Sequence, residues 1–259
     1  MLLYLKPLIF SVLFIIGFEA LIYYQQQTTW ILEALLIVVL IASWQISGRL
    51  KIPFLPVLFF IGAALLAFYV DQALIKQIYI FSSGLVFYFI LYSVYVLNRR
   101  PQSEFCKKIT LISSIITLFL LVAGVFAVWL NQIVAIWQIL TAIFIITGLI
   151  SIQLLRKILP TNTKINIYLL SLILAYSLTT ISWAVFFLPF SYLTASIIIS
   201  ATYFMFVNYL IQVYLKTSGK ISFIVDCIIY VLSIAVVLYT AKWSLVINPD
   251  SIFNVTGLE

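Results

Sequence analysis

The chain has 259 residues, of which 65% are apolar and 8% charged, and its mean hydropathy is +1.25. A soluble domain carries roughly 45–50% apolar and about 25% charged residues, so this composition cannot cover a core with a water-facing surface. The net charge of +7 sits in short loops between apolar runs and forms no basic face, which excludes nucleic acid as a partner and leaves a polytopic membrane protein.

A span needs about 20 apolar residues, each rising 1.5 Å, to cross roughly 30 Å of hydrocarbon. On that measure the sequence predicts one transmembrane domain of nine spans. Span one, Pro7–Tyr24, follows Lys6 in the manner of a secretory signal. No A-x-A-like cleavage site follows it and Glu19 interrupts its apolar end, so it is expected to stay in the membrane. Span two is Thr29–Ile46 and carries Glu33. Span three, Pro53–Val70, has Pro53 and Pro56 in its first turn, where a missing N–H costs little. Spans four and five, Ile78–Leu97 and Ile109–Leu130, flank a basic loop. Asn131-Gln132 leads straight into span six, Ile133–Leu155. Span seven, Ile165–Leu188, turns at Pro189 into span eight, Phe190–Leu215. Span nine, Ile221–Val246, precedes a short tail, 247–259, with the glycosylation sequon Asn254-Val255-Thr256.

Runs this apolar must be helices or a closed barrel, because lipid offers backbone groups no partner. Strict alternation of apolar and polar residues is missing, so the fold class is all-α and the barrel is eliminated. The short connectors between spans five and six, and between seven and eight, require antiparallel hairpins in direct contact. Small residues four apart, Ala63 with Ala67, Ala123 with Ala127 and Ser196 with Ser200, predict close helix approach. Trp30, Trp129, Trp137, Trp183 and Trp243 fall near outer span ends and read as interface anchors.

Charge sets the orientation. With the N-terminus in the cytoplasm and nine alternating spans, twelve of the fourteen Lys and Arg residues face inward. Only Lys76 and Lys242 face outward, so the positive-inside rule favours nine spans with the C-terminus outside. The plasma membrane is the expected location. The bilayer is the first partner, and Arg99, Arg100, Lys107 and Lys108 are placed to contact anionic lipids on the cytoplasmic side.

The chain has no His, which removes imidazole metal sites, imidazole haem ligation and a Ser-His-Asp triad. Cys106 and Cys227 lack CxxC spacing and both fall on the cytoplasmic side, so no thiolate cluster and no disulfide are expected. Cys106 stands at the membrane surface, a position open to lipidation. Phosphate-binding glycine loops and nucleophile elbows are missing, and no cofactor is expected.

Ionisable groups within spans are expensive and mark candidate sites. Glu19 and Glu33 lie at similar depth on either side of the first outer turn, where a shared proton or a bound cation would suit them. Lys242 lies at comparable depth and is a further candidate, as is Asp226 in the inner half of span nine. Spans seven and eight are rich in hydroxyls and continue into Asn208 and Gln212, which suits either packing or a cavity for a polar or amphipathic ligand. Three functions compete on this reading: a transporter-like or transporter-associated component for a small or lipid-like solute, a structural subunit contacting membrane protein partners, and, weakest, a lipid-modifying enzyme.

The orientation is testable by thiol labelling. Cysteines introduced at Gln26 and Asn131 are expected to react with an impermeant reagent applied outside, while those at Ser103 and Ser218 stay silent. Outside labelling at Ser103 would invert the topology.

Overall fold

Main-chain amides in an apolar medium have to bond within their own segment, and the described residues satisfy them with helices. The computed structural model describes residues 5–47, 54–70, 72–131, 134–159, 166–188 and 190–215, with 228, 230–232, 234–236 and 239 beyond them. Cys227, Asp226, Lys242, Trp243 and the Asn254 sequon lie outside the described residues. The helices are α1 (Leu5–Tyr23), α2 (Thr28–Ser47), α3 (Phe54–Ala67), α4 (Ala73–Arg99), α5 (Glu104–Leu130), α6 (Ile136–Ile158), α7 (Ile167–Phe186) and α8 (Tyr192–Leu215). Seven of these eight are long and apolar enough to cross a membrane. The exception is α3, whose 14 residues rise only about 21 Å.

Two helices begin well before the apolar runs that mark them in the sequence. α4 starts at Ala73 and α5 at Glu104, each about a turn and a half ahead of its expected span. Hydropathy locates the stretch that can sit in hydrocarbon, whereas the helix continues through a first turn that carries Lys76 in α4 and Glu104 with Lys107 in α5. Near the other termini the caps are polar. Asn166 Oδ1 accepts from the N–H groups of Tyr168 and Leu169 at 3.1 and 3.3 Å, closing the start of α7. Gln138 Oε1 accepts from Ala135 N–H at the start of α6. α3 is capped from a distant helix: Leu55 N–H donates to Gln153 Oε1 of α6 at 2.8 Å, across 98 residues of chain.

α5 is the axis of the bundle. Buried residues make up 61% of its most apolar stretch, against 28% for α1 and for α2. One side of α5 joins a core shared with α1 to α4, and the other joins a core shared with α6 to α8. The first core holds a run of stacked rings, with Phe14 at 4.4 Å from Phe87 and 4.6 Å from Phe18. The second holds Phe126 against Phe186 at 4.4 Å, with Trp129 set edge-on to Phe186. The expected hairpins are present, since α5 packs on α6 and α7 on α8.

The contact between α3 and α5 is made by small residues. Ala63 and Ala67 are buried on α3, and Ala123 and Ala127 on α5. A Cβ added at Gly62 would lie 2.8 Å from Leu121 N and 3.1 Å from the Leu120 carbonyl carbon, so the two backbones touch there. Gly124 is pressed in the same way by Leu65. Most hydroxyls of α7 turn back on their own helix: Ser171, Thr179, Thr180 and Ser182 each donate to the carbonyl four residues before. They satisfy themselves without a ligand. Cys106 is buried, which leaves it no surface for lipid attachment.

Gly62→Ala is expected to destabilise the bundle by about 1–3 kcal/mol, because backbone cannot give way as a side chain can. Gly148→Ala, whose new Cβ would meet Ala175 at 3.8 Å, is expected to be neutral or stabilising by up to about 1 kcal/mol. Unfolding in mixed detergent measures both, and equal effects would contradict the backbone contact.

Candidate functional site

Four helices that meet at different depths leave space where the shortest one stops. α3 ends at Ala67 and the chain turns, with Tyr69 N–H donating to Leu66 O at 3.0 Å. Beyond that point a cavity of about 740 Å³ opens between the end of α3, the first half of α4, the middle of α5 and the start of α8. Its wall on α4 runs from Gln72 to Val86, about 20 Å at helical rise. The deep part is apolar, closed by Phe59, Ile116 and Phe119. The rim is different, with Tyr69, Gln72 and Tyr192 around it. The rings of Tyr69 and Tyr192 stand 6.5 Å apart at a tilt of 48°.

One hydrogen bond ties the walls together. Tyr79 on α4 donates its hydroxyl to Ala63 O on α3 at 2.8 Å, using the second lone pair of a carbonyl already in the helix. Ser82, also on the wall, donates to Tyr79 O. The combination of a polar rim and a long apolar interior suits a ligand with one polar end and one hydrocarbon end. No carboxylate or cation lines it, so a charged solute would find no counterion inside.

The acidic candidates stand at the same end of the bundle but outside this cavity. Glu19 is half-buried near the end of α1 and its Oε2 accepts from Gln77 Nε2 of α4 at 3.2 Å. Gln77 does not line the cavity. Glu33 is exposed on α2. Asn208 is half-buried on α8. At the opposite end Arg99, Arg100 and Lys108 are exposed and Lys107 is half-buried, with the Arg99 guanidinium 4.5 Å from the centre of the Tyr95 ring. Among the described residues no three His, Cys, Asp or Glu side chains come together to hold a metal ion.

Sequence reasoning passed over the tyrosines of the cavity. Tyr79 and Tyr192 read as two of 16 in an aromatic-rich chain, and nothing local distinguishes a rim tyrosine from a lipid-facing one. The sequence marks only the end of the apolar run, at Asp71-Gln72, and not the earlier end of the helix at Ala67. No protein-family model, curated protein or solved structure matches the chain.

Tyr79→Phe keeps the ring and removes the bond to Ala63 O, and is expected to lower stability by about 1 kcal/mol. An unchanged unfolding midpoint would show that the hydroxyl contributes nothing to holding α3 against α4.

Proposed function

We propose that this protein is a transporter-like or transporter-associated component of the plasma membrane that takes a lipid-like solute into the cavity between α3, α4, α5 and α8. The observation that carries this reading is the pairing of a short buried helix with a cavity at its end. Nine of the 14 residues of α3 are buried, so the helix is a core element that stops about 9 Å short of a full hydrocarbon crossing. Non-helical backbone at membrane depth is tolerated only where protein covers it or a cavity adjoins it. Tyr69, Val70 and Gln72 form such a stretch and line the cavity.

The topology that fits this function has nine spans, the N-terminus in the cytoplasm and the C-terminus outside. Its support is the distribution of basic residues, together with the helical state of every described residue between 228 and 239. On that orientation the cavity opens toward the outer leaflet. A second reading, a structural subunit of a membrane complex, draws on the broad apolar faces of α1 and α2, where Leu8, Val12, Ile16 and Ile37 are exposed. Lipid or a partner helix would cover those faces equally well.

Filling the cavity separates the two. Val86→Trp places a large ring on the cavity wall, and binding of a fluorescent monoacylglycerol, which is polar at one end but uncharged, to the purified protein is expected to fall about tenfold or more while the helical content holds. Undiminished binding, or none in the wild type, would favour the structural subunit.

A further inference from the structure

The end of the bundle opposite the cavity carries a second polar feature. Lys157 is the penultimate residue of α6, and its Nζ is buried with no hydrogen-bond partner. One turn earlier on the same face, Gln153 Nε2 is also buried and unpartnered. The two orphaned groups are not scattered. The Gln153 carboxamide is fixed in place by Leu55 N–H, which donates to its Oε1 at the second residue of α3. Side chains on a helix lean toward its N-terminus, so Lys157 reaches back along α6 toward the level of Gln153.

Gln153 therefore stands at a helix N-terminus, and Lys157 lies one turn further along α6 on the same face. That end of α3 carries a partial positive charge. Pro56 supplies no N–H there, and the Leu55 N–H is spent on Gln153, so the carboxamide takes over as donor: it accepts at Oε1 and keeps Nε2 without a partner. Lys157 adds an ammonium with three further donors. A desolvated cation beside a positive helix end is opposed twice, by lost hydration and by repulsion, unless an anion joins it. Its neighbour Arg156 has found partners, donating to Tyr168 OH and lying 5.1 Å from that ring centre. Among the described residues Lys157 has none.

We infer that Lys157, Gln153 and the N-terminus of α3 form a binding site for a phosphate group at the basic end of the bundle. Donors of two kinds converging on a helix N-terminus call for an anion with several oxygens, and phosphate matches that demand. The level of the site agrees with a membrane phosphate. Lys157 lies one residue from the end of α6, where hydrocarbon gives way to headgroups. The same chemistry is offered by the headgroup of an anionic lipid and by free inorganic phosphate. This site is separate from the exposed Arg99, Arg100 and Lys108, which meet a headgroup only by surface attraction. It does not depend on the cavity or on the transport reading.

The protein in dodecyl maltoside micelles, which contain no phosphorus, supplies the reference state. In one arm phosphatidic acid is added to the micelles, and in the other inorganic phosphate is added to the buffer, with bound phosphorus read by ³¹P NMR and stability by thermal unfolding. Lys157→Met is expected to weaken binding about tenfold or more, and to raise the melting temperature of the phosphate-free protein, since the buried charge is gone. Lys6→Met makes the same charge change on an exposed residue of α1 at the same end of the bundle and is expected to leave binding within about twofold. Gln153→Glu provides an internal anion beside Lys157 and is expected to abolish binding in a folded protein. A response to phosphatidic acid alone identifies a lipid headgroup as the source; a response to inorganic phosphate identifies the free ion. No binding in either arm, or equal loss in Lys157→Met and Lys6→Met, would overturn the site.

Discussion

The backbone contact between α3 and α5 is the constraint on which the rest of the bundle is arranged. A helix can approach another this closely only if neither presents a side chain at the crossing, and Gly62 with its alanine neighbours meets that condition. In lipid there is no hydrophobic gain from bringing two apolar helices together, so dispersion across a tight interface has to hold them. Once α3 is drawn against α5, it lies inside the bundle, and α1, α2 and α4 close around it through the phenylalanine stack. α6, α7 and α8 then cover the opposite side of α5.

That burial explains both unusual sites. A helix surrounded by others can be shorter than the membrane is thick, because its ends are covered by protein and not by lipid. At one end the shortfall becomes a cavity rimmed by Tyr69 and Tyr192. At the other the first turn, where Leu55 and Pro56 are buried, is met by Gln153 from α6, and with it comes Lys157. One truncated helix thus gives the molecule two chemically opposite ends: an apolar recess with a neutral polar rim, and a cluster of donors without an acceptor.

Much of the architecture was legible in the sequence. Composition alone established helices in a membrane, and the alanine pairs at 63, 67, 123 and 127 pointed to the interface that matters most. The acidic residues were legible as costly but not as partners. Glu19 met Gln77, a residue of α4 that hydropathy places before the apolar run and therefore outside the reading frame for spans. Gln153 and Lys157 escaped for a related reason. Near a span end each looks like an ordinary interfacial residue, and only the position of α3, set by contacts far along the chain, shows that they are buried. The cavity escaped because it is defined by where α3 stops, and Phe68, Tyr69 and Val70 are as apolar as the helix before them.

The cap on α3 has a consequence for how the protein is made. Its N-terminal amide waits for a side chain 98 residues downstream. At a synthesis rate of roughly 5–20 residues per second, α3 leaves the ribosome on the order of 5–20 s before Gln153 exists. During that interval it is a short, glycine- and alanine-bearing helix with neither its cap nor its α5 interface, poorly suited to lie alone in lipid. The interface arrives with α5, so α3 docks before its first turn is capped, and the cap closes only once α6 has followed. The third helix of this chain thus depends for its completion on a residue made well after it.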